Sequence, residues 1–161
     1  MTTEPERQFV EKVGLFFEQL GFPRMGGRIF GWLLISEAPR ASMAELVEAL
    51  QASKSSISSM THLLIQVDLI ELVSVPGVRH DYFQIRSDAW TNSLRDRLTQ
   101  ASAFRQLAEE GLALLSDAPE QRTHRLQEMR LMYAFLEREI PALIERWKLE
   151  RQAFYENIPV K

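Results

Sequence analysis

The stretch ASKSSISSM, residues 52–60, sets five serines in seven positions and then runs into hydrophobic sequence. Serine is about 0.5 kcal/mol worse than alanine inside a helix, so five of them forfeit about 2 kcal/mol. On a helix that turns about 100° per residue, Ile57, Met60 and Leu64 cluster on one side. Ser55, Ser58, Ser59, His62 and Gln66 fall on the opposite side, with Ser56 on a flank. Ser53 is placed as an N-cap. The outward face is then small, polar and nearly uncharged. Small side chains let a helix approach closely, and hydroxyls can donate or accept at base edges and phosphates. Free amides at the helix start, with Lys54 beside them, suit a phosphate. The plainer reading is that Ser53 caps and the other serines are solvated.

A second polar pair, Arg79 and His80, follows Pro76-Gly77. An arginine at a hairpin tip can enter a minor groove, where the potential is most negative in narrow A·T tracts. The alternative is a charge that guards an edge strand against aggregation. Arg24 and Arg28 can hold phosphates or pair with carboxylates of the preceding helix, and the spacing leaves both open. No set of residues points to catalysis. His62, His80 and His124 are far apart and lack metal-ligand spacing. There is no nucleophile elbow and no phosphate-binding loop, and RMGGR is too short for one. No enzyme activity, metal or cofactor is expected.

The elements that would carry these residues can be read from periodicity and caps. Thr3 with Glu6, and Ser42 with Glu45, have capping-box spacing. Apolar Phe9, Val13, Phe16, Phe17 and Leu20 predict a first helix ended by Gly21 and Pro23. A second helix is predicted from about Arg24 to Ser36, its glycines at 26, 27 and 31 allowing close packing. MAELVEAL predicts a short third helix, and the serine-rich helix follows after a short turn, which is a helix-turn-helix order. LIELVSV and RHDYFQI read as strands joined by VPGV, with Pro and Gly at the centre of a type II turn. Three helices and a hairpin describe a winged helix. From about Asp88 the chain reads as two long helices broken at SDAP, and Pro141 should kink or divide the second.

Composition agrees with a globular protein. Of 161 residues 45% are hydrophobic and 25% charged, so disorder is excluded. No apolar run approaches the roughly 18 residues of a membrane span. The opening MTTEPERQFVEK is too acidic for a secretory leader, and the absence of cysteine fits a reducing cytoplasm. The net charge of −3 counts against a general nucleic-acid binder. Residues 24–86 hold six basic and six acidic side chains, so any DNA affinity needs a local patch, doubled by dimerisation.

SKSSISSMTHLLIQVDLIELVSVPGVRHDYF resembles the recognition helix and wing of MarR-type regulators, most closely the glycine-betaine-synthesis-regulator branch. GLFFEQLGFPRMGGRIFGWLL, with its Gly27-Arg28 pair, resembles the opening of that branch. The resemblance covers about residues 9–86 and is only architectural beyond. It implies a homodimer on a palindromic DNA operator, probing it with helix 53–67 and wing 75–80, in some members under a small-molecule effector. Ser55 and Asp68 stand where glycine is common, and Thr61-His62 where arginine is frequent. These departures imply weaker electrostatic binding, and the resemblance does not carry an operator sequence over.

The expected organisation is a mainly α chain with a small β-hairpin. It comprises an N-terminal helix (1–22), a winged helix-turn-helix (23–86) and a helical dimerisation domain (87–161). The expected DNA contacts are Ser53, Lys54, Ser55, Ser56, Ser58, Ser59, His62, Arg79 and His80. The expected dimer seam is Leu126, Met129, Tyr133, Leu136, Ile140, Leu143, Trp147 and Phe154, a near-heptad interrupted at Glu150. The same seam could be internal core. Trp32, Trp90 and Trp147 are the aromatics available to a cationic ligand. A reading of another class is a winged-helix protein-interaction module without DNA binding. It predicts an apolar recognition face, where the sequence places hydroxyls.

Overall fold

The computed structural model describes residues 3–157, so the outermost ends of the first and last expected segments, 1–2 and 158–161, lie outside it. Helix α1 is Glu4–Gln19; Thr3 Oγ1 accepts the Glu6 amide proton and Glu6 returns to the Thr3 amide. Helix α2 is Arg24–Ile35, strand β1 is Arg40–Ser42 and helix α3 is Met43–Leu50. A second reciprocal cap joins Ser42 and Glu45 at the start of α3. The Ser42 amide, then its hydroxyl, hold the Glu45 carboxyl below the usual carboxylate range. Helix α4 is Lys54–Gln66, and strands β2 and β3 are Ile70–Ser74 and Asp81–Ile85. Helices α5, Ala89–Leu114, and α6, Glu120–Glu156, complete the chain.

The chain forms two compact units, Met1–Ala89 and Trp90–Lys161. In the first, α1 and α2 cross at glycine-width separation. A Cβ on Gly27 would lie 2.7 Å from both Phe17 Cβ and the Val13 carbonyl oxygen, and one on Gly31 would lie 2.9 Å from Val13 Cβ. Glycine is therefore required there for packing. Gly26 faces Leu64 Cδ2 at an ordinary 3.9 Å and needs no such exception. The core beneath α4 includes Ile29, Leu46, Ile57, Leu64 and Ile70, all fully buried.

The hairpin predicted from sequence is two strands of a three-stranded antiparallel sheet, ordered β1-β3-β2. The extra strand β1 pairs Ala41 with Phe83 and Ser42 with Tyr82. Its three residues carry no alternation of their own, and long-range pairing creates it. In the wing turn the Val78 N–H donates to the Val75 carbonyl at 3.1 Å, and Gly77 has φ +83°, as the Pro-Gly spacing requires.

In the second unit α5 and α6 form an antiparallel hairpin. Leu126 fills the space over Gly111, and Tyr133 stacks on Phe104 with ring centroids 4.7 Å apart. Arg105 pairs with Glu137 across the hairpin. Pro141 does not divide α6, which runs 37 residues through it. One missing amide costs about 3 kcal/mol in an isolated helix, and the buried neighbours Ile140 and Ile144 hold the helix on both sides. The sequence seam is thus partly internal: Leu126 and Tyr133 meet α5, and Ile140 is already buried in the single chain. Leu126, Met129, Tyr133, Leu136 and Trp147 are half-buried, whereas Leu143 and Phe154 are exposed. Leu131, Met132, Phe135, Leu149 and Tyr155, off that seam, are exposed as well.

Candidate nucleic-acid interface

Helix α4 presents the face its sequence describes. Ile57 and Leu64 are fully buried, and so is Thr61, whose hydroxyl donates to the Ser58 carbonyl at 3.0 Å. Lys54, Ser55, Ser59 and His62 are exposed, with Ser56 and Ser58 half-buried at the edges. Ser53 is exposed and acts as the N-cap, its Oγ accepting the Ser56 amide proton at 3.2 Å and lying 3.1 Å from Ser55 Oγ. Capping thus occupies one of its lone pairs, and the hydroxyl faces of Ser55 and Ser59 remain outward. The turn from α3 into α4 is tight. Gln51 is left-handed (φ 49°, ψ 45°), and the Ala52 N–H reaches back to the Val47 carbonyl at 3.3 Å.

At the other end of α4, Asp68 also has positive φ, 55°, a conformation glycine adopts most readily. Aspartate tolerates this conformation better than most residues. Its carboxylate meets Arg86 Nη1 at 3.1 Å, and the same guanidinium binds Asp88 at 2.9 Å. The wing base is thereby tied to the end of α4. The wing tip carries Arg79 and His80, both exposed. The His80 and Tyr82 ring centroids are 4.9 Å apart, and the Arg40 guanidinium lies over the Tyr82 ring, 5.4 Å from its centroid. Arg40 is the residue the sequence reading missed; only the pairing of β1 with β3 brings it to the wing.

The ion pairs resolve the neutrality of residues 24–86. Of the six cations in 24–86, Arg24 and Arg28 pair with Glu11, and Arg86 with Asp68 and Asp88. Arg24 and Arg28 thus have a carboxylate as partner. Arg40, Lys54 and Arg79 have no ion pair among the described residues. They lie on β1, at the N-terminus of α4 and on the wing. A set of unpaired cations survives in a segment with balanced charge. Among the described residues no group of histidines and carboxylates could hold a metal ion, and no helix is long and apolar enough to cross a membrane.

Known proteins share this arrangement. The chain is 39% identical over 148 residues to the HTH-type transcriptional regulator MmpR5 of Mycobacterium tuberculosis, covering 91% of this chain and 90% of that one. It belongs to the MarR family of transcriptional regulators. A family model for MmpR5-like MarR regulators matches residues 88–151 of this MarR-family chain. A solved structure of a transcriptional regulator superposes with a TM-score of 0.77 at 38% identity, over 90% of this chain and 99% of the other. The family match therefore extends onto the long helices, where the motif resemblance was architectural. These comparisons carry the family and not the glycine-betaine-synthesis branch. A MarR-family winged helix is a DNA-binding regulator and not an enzyme.

Proposed function

We propose that this regulator is a homodimeric repressor of transcription that occupies a palindromic operator. Each protomer sets α4 in a major groove and its wing in the flanking minor groove. The observation that carries this reading is the outward hydroxyl face of α4, with Lys54 in its first turn, and with exposed Arg79 on the wing and Arg40 on β1, cations without an ion pair among the described residues. The reading assigns base-edge contacts to Ser55, Ser56, Ser58, Ser59 and His62, and phosphate or minor-groove contacts to Ser53, Lys54, Arg79 and His80. A protein-docking face would instead be apolar.

Two α4 helices on successive major grooves stand about 34 Å apart, a distance set by pairing of the long helices. A small ligand would act by favouring a dimer with the wrong spacing. Mobility shift on the protein's own promoter region tests the reading: a sequence-selective, salt-sensitive shift is expected, and none would refute it. Arg79→Ala should weaken binding about tenfold on every sequence and flatten the salt dependence. Ser55→Ala and Ser59→Ala should change preference at particular base pairs, each worth about 1–3 kcal/mol. Selection from a random pool with each variant checks this. Identical preferences for all three variants would contradict the assignment.

A further inference from the structure

Arg28 stands apart from the other cations of the winged unit because it joins three helices. Its side chain is 23% exposed, against 47% for Arg24. Arg28 Nε lies 2.6 Å from Glu11 Oε1 on α1, an ion pair without hydrogen-bond alignment. Its Nη2 donates at 3.1 Å to the carbonyl of Leu50, the last residue of α3. Gly14 makes this reach possible: a Cβ there would lie 2.9 Å from Arg28 Cγ. The carbonyls at a helix end have no partner in their own helix, and a guanidinium there satisfies one and complements the dipole. Immediately beyond Leu50 comes left-handed Gln51, then Ala52 and the Ser53 cap of α4.

We propose that Arg28 is a positioning residue for DNA reading: the Glu11–Arg28–Leu50 chain fixes the turn that aims α4. Glu11 orients the guanidinium, and the guanidinium holds the end of α3. The turn therefore has one arrangement, and α4 enters the groove with its hydroxyls already aimed. The inference rests on the proposed reading of α4 as the recognition helix. It assigns a DNA effect to two residues that need not touch DNA.

Charge alone predicts the opposite sign at Glu11. Removing a carboxylate, and so freeing Arg24 and Arg28 for phosphates, should tighten binding to a polyanion. The brace predicts that Glu11→Gln weakens it.

The test uses the full-length protein and the duplex that wild type enriches from a randomised pool, titrated at several salt concentrations. Folding is checked by circular dichroism and active fraction by stoichiometric titration. Arg28→Met should bind about tenfold more weakly, the weight of one charged hydrogen bond. Its slope against salt should match wild type, because no phosphate contact is lost. Arg28→Lys keeps the charge but not the fork and should resemble Arg28→Met. Glu11→Gln should weaken binding several-fold, and the double variant should be no weaker than Arg28→Met alone. Amide exchange at residues 51–56 should quicken in the free variants.

The brace is overturned if Glu11→Gln binds as well as or better than wild type. It is equally overturned if Arg28→Lys restores full binding, or if Arg28→Met lowers the slope by about one per site, the mark of a phosphate contact. Should Arg28→Met fail to fold, Glu11→Gln and Arg28→Lys decide. If wild type enriches no sequence, the recognition-helix reading itself fails and the brace with it. Enrichment by wild type with unchanged variants refutes the brace alone.

Discussion

Gly27→Ala should melt roughly 10 °C or more below wild type, while Gly26→Ala, one residue earlier, should melt at or slightly above it. The two residues share a helix, a chemistry and a buried setting, and differ in what a methyl group would strike. At Gly27 it would meet the Phe17 Cβ, the Val13 carbonyl and the Gly14 Cα, at 2.7, 2.7 and 2.8 Å. Two of these atoms are backbone and cannot rotate away, so α1 must move off α2. Overpacking of this kind costs about 1–3 kcal/mol, and the backbone contacts place Gly27 at the upper end. At Gly26 the methyl meets Leu64 Cδ2 at 3.9 Å, an ordinary contact. There the substitution reduces the freedom of the unfolded chain and gains up to about 1 kcal/mol. Thermal denaturation followed by far-ultraviolet circular dichroism gives both values. Equal shifts for the two variants would mean that the helices do not cross as described.

Substituting the far end of α6 should have the largest effect on operator binding. Gly111 faces Leu126 and Phe104 faces Tyr133, one step forward on α6 for each step back on α5. Extrapolated at that register, the N-terminal end of α5 within this unit corresponds to about residue 147 of α6. At that register the last turns of α6 extend past α5. Leu149, Phe154 and Tyr155 there are 69%, 64% and 59% exposed. Burying three such side chains is worth about 1.5–3 kcal/mol each, and a two-fold interface uses each surface twice. Leu149→Glu combined with Phe154→Glu should therefore convert a dimer into a species of the single-chain mass, 18.6 kDa. Loss of one half-site's contacts should raise the half-saturating concentration on the operator by about 100-fold or more. Light scattering and mobility shift read the two effects. A variant that remains dimeric would place the interface elsewhere.

The features legible in the sequence were those whose signals lie within one helical turn. The Thr3–Glu6 and Ser42–Glu45 caps, the Ser53 cap and the Pro-Gly turn each set an element end locally, and the elements fall where these residues place them. Strand β1 was illegible because Arg40–Ser42 becomes a strand only through Tyr82–Gln84, some forty residues on. Arg40 went unnoticed for the same reason. For Arg24 and Arg28 the sequence offered carboxylates of the preceding helix or phosphates without deciding between them, since Glu11 reaches them only across the crossing of α1 and α2. The α6 seam shows a deeper ambiguity. Apolar steps of three and four arise equally from packing on one's own chain and on another's. Tyr133 on Phe104 shows that part of the pattern serves the hairpin.

That α4 enters the major groove with its hydroxyl face is the claim on which the rest depends. The chain contains no cysteine, so a cysteine introduced at exposed Ser59 can carry an iron chelate that cleaves nearby DNA. On the selected duplex, two clusters of cuts should appear about 10 base pairs apart centre to centre, one for each protomer's helix. A chelate at Leu114, 86% exposed on α5, should give only diffuse cutting. Cleavage from position 59 as diffuse as that from position 114, on DNA the labelled protein demonstrably binds, would contradict the account.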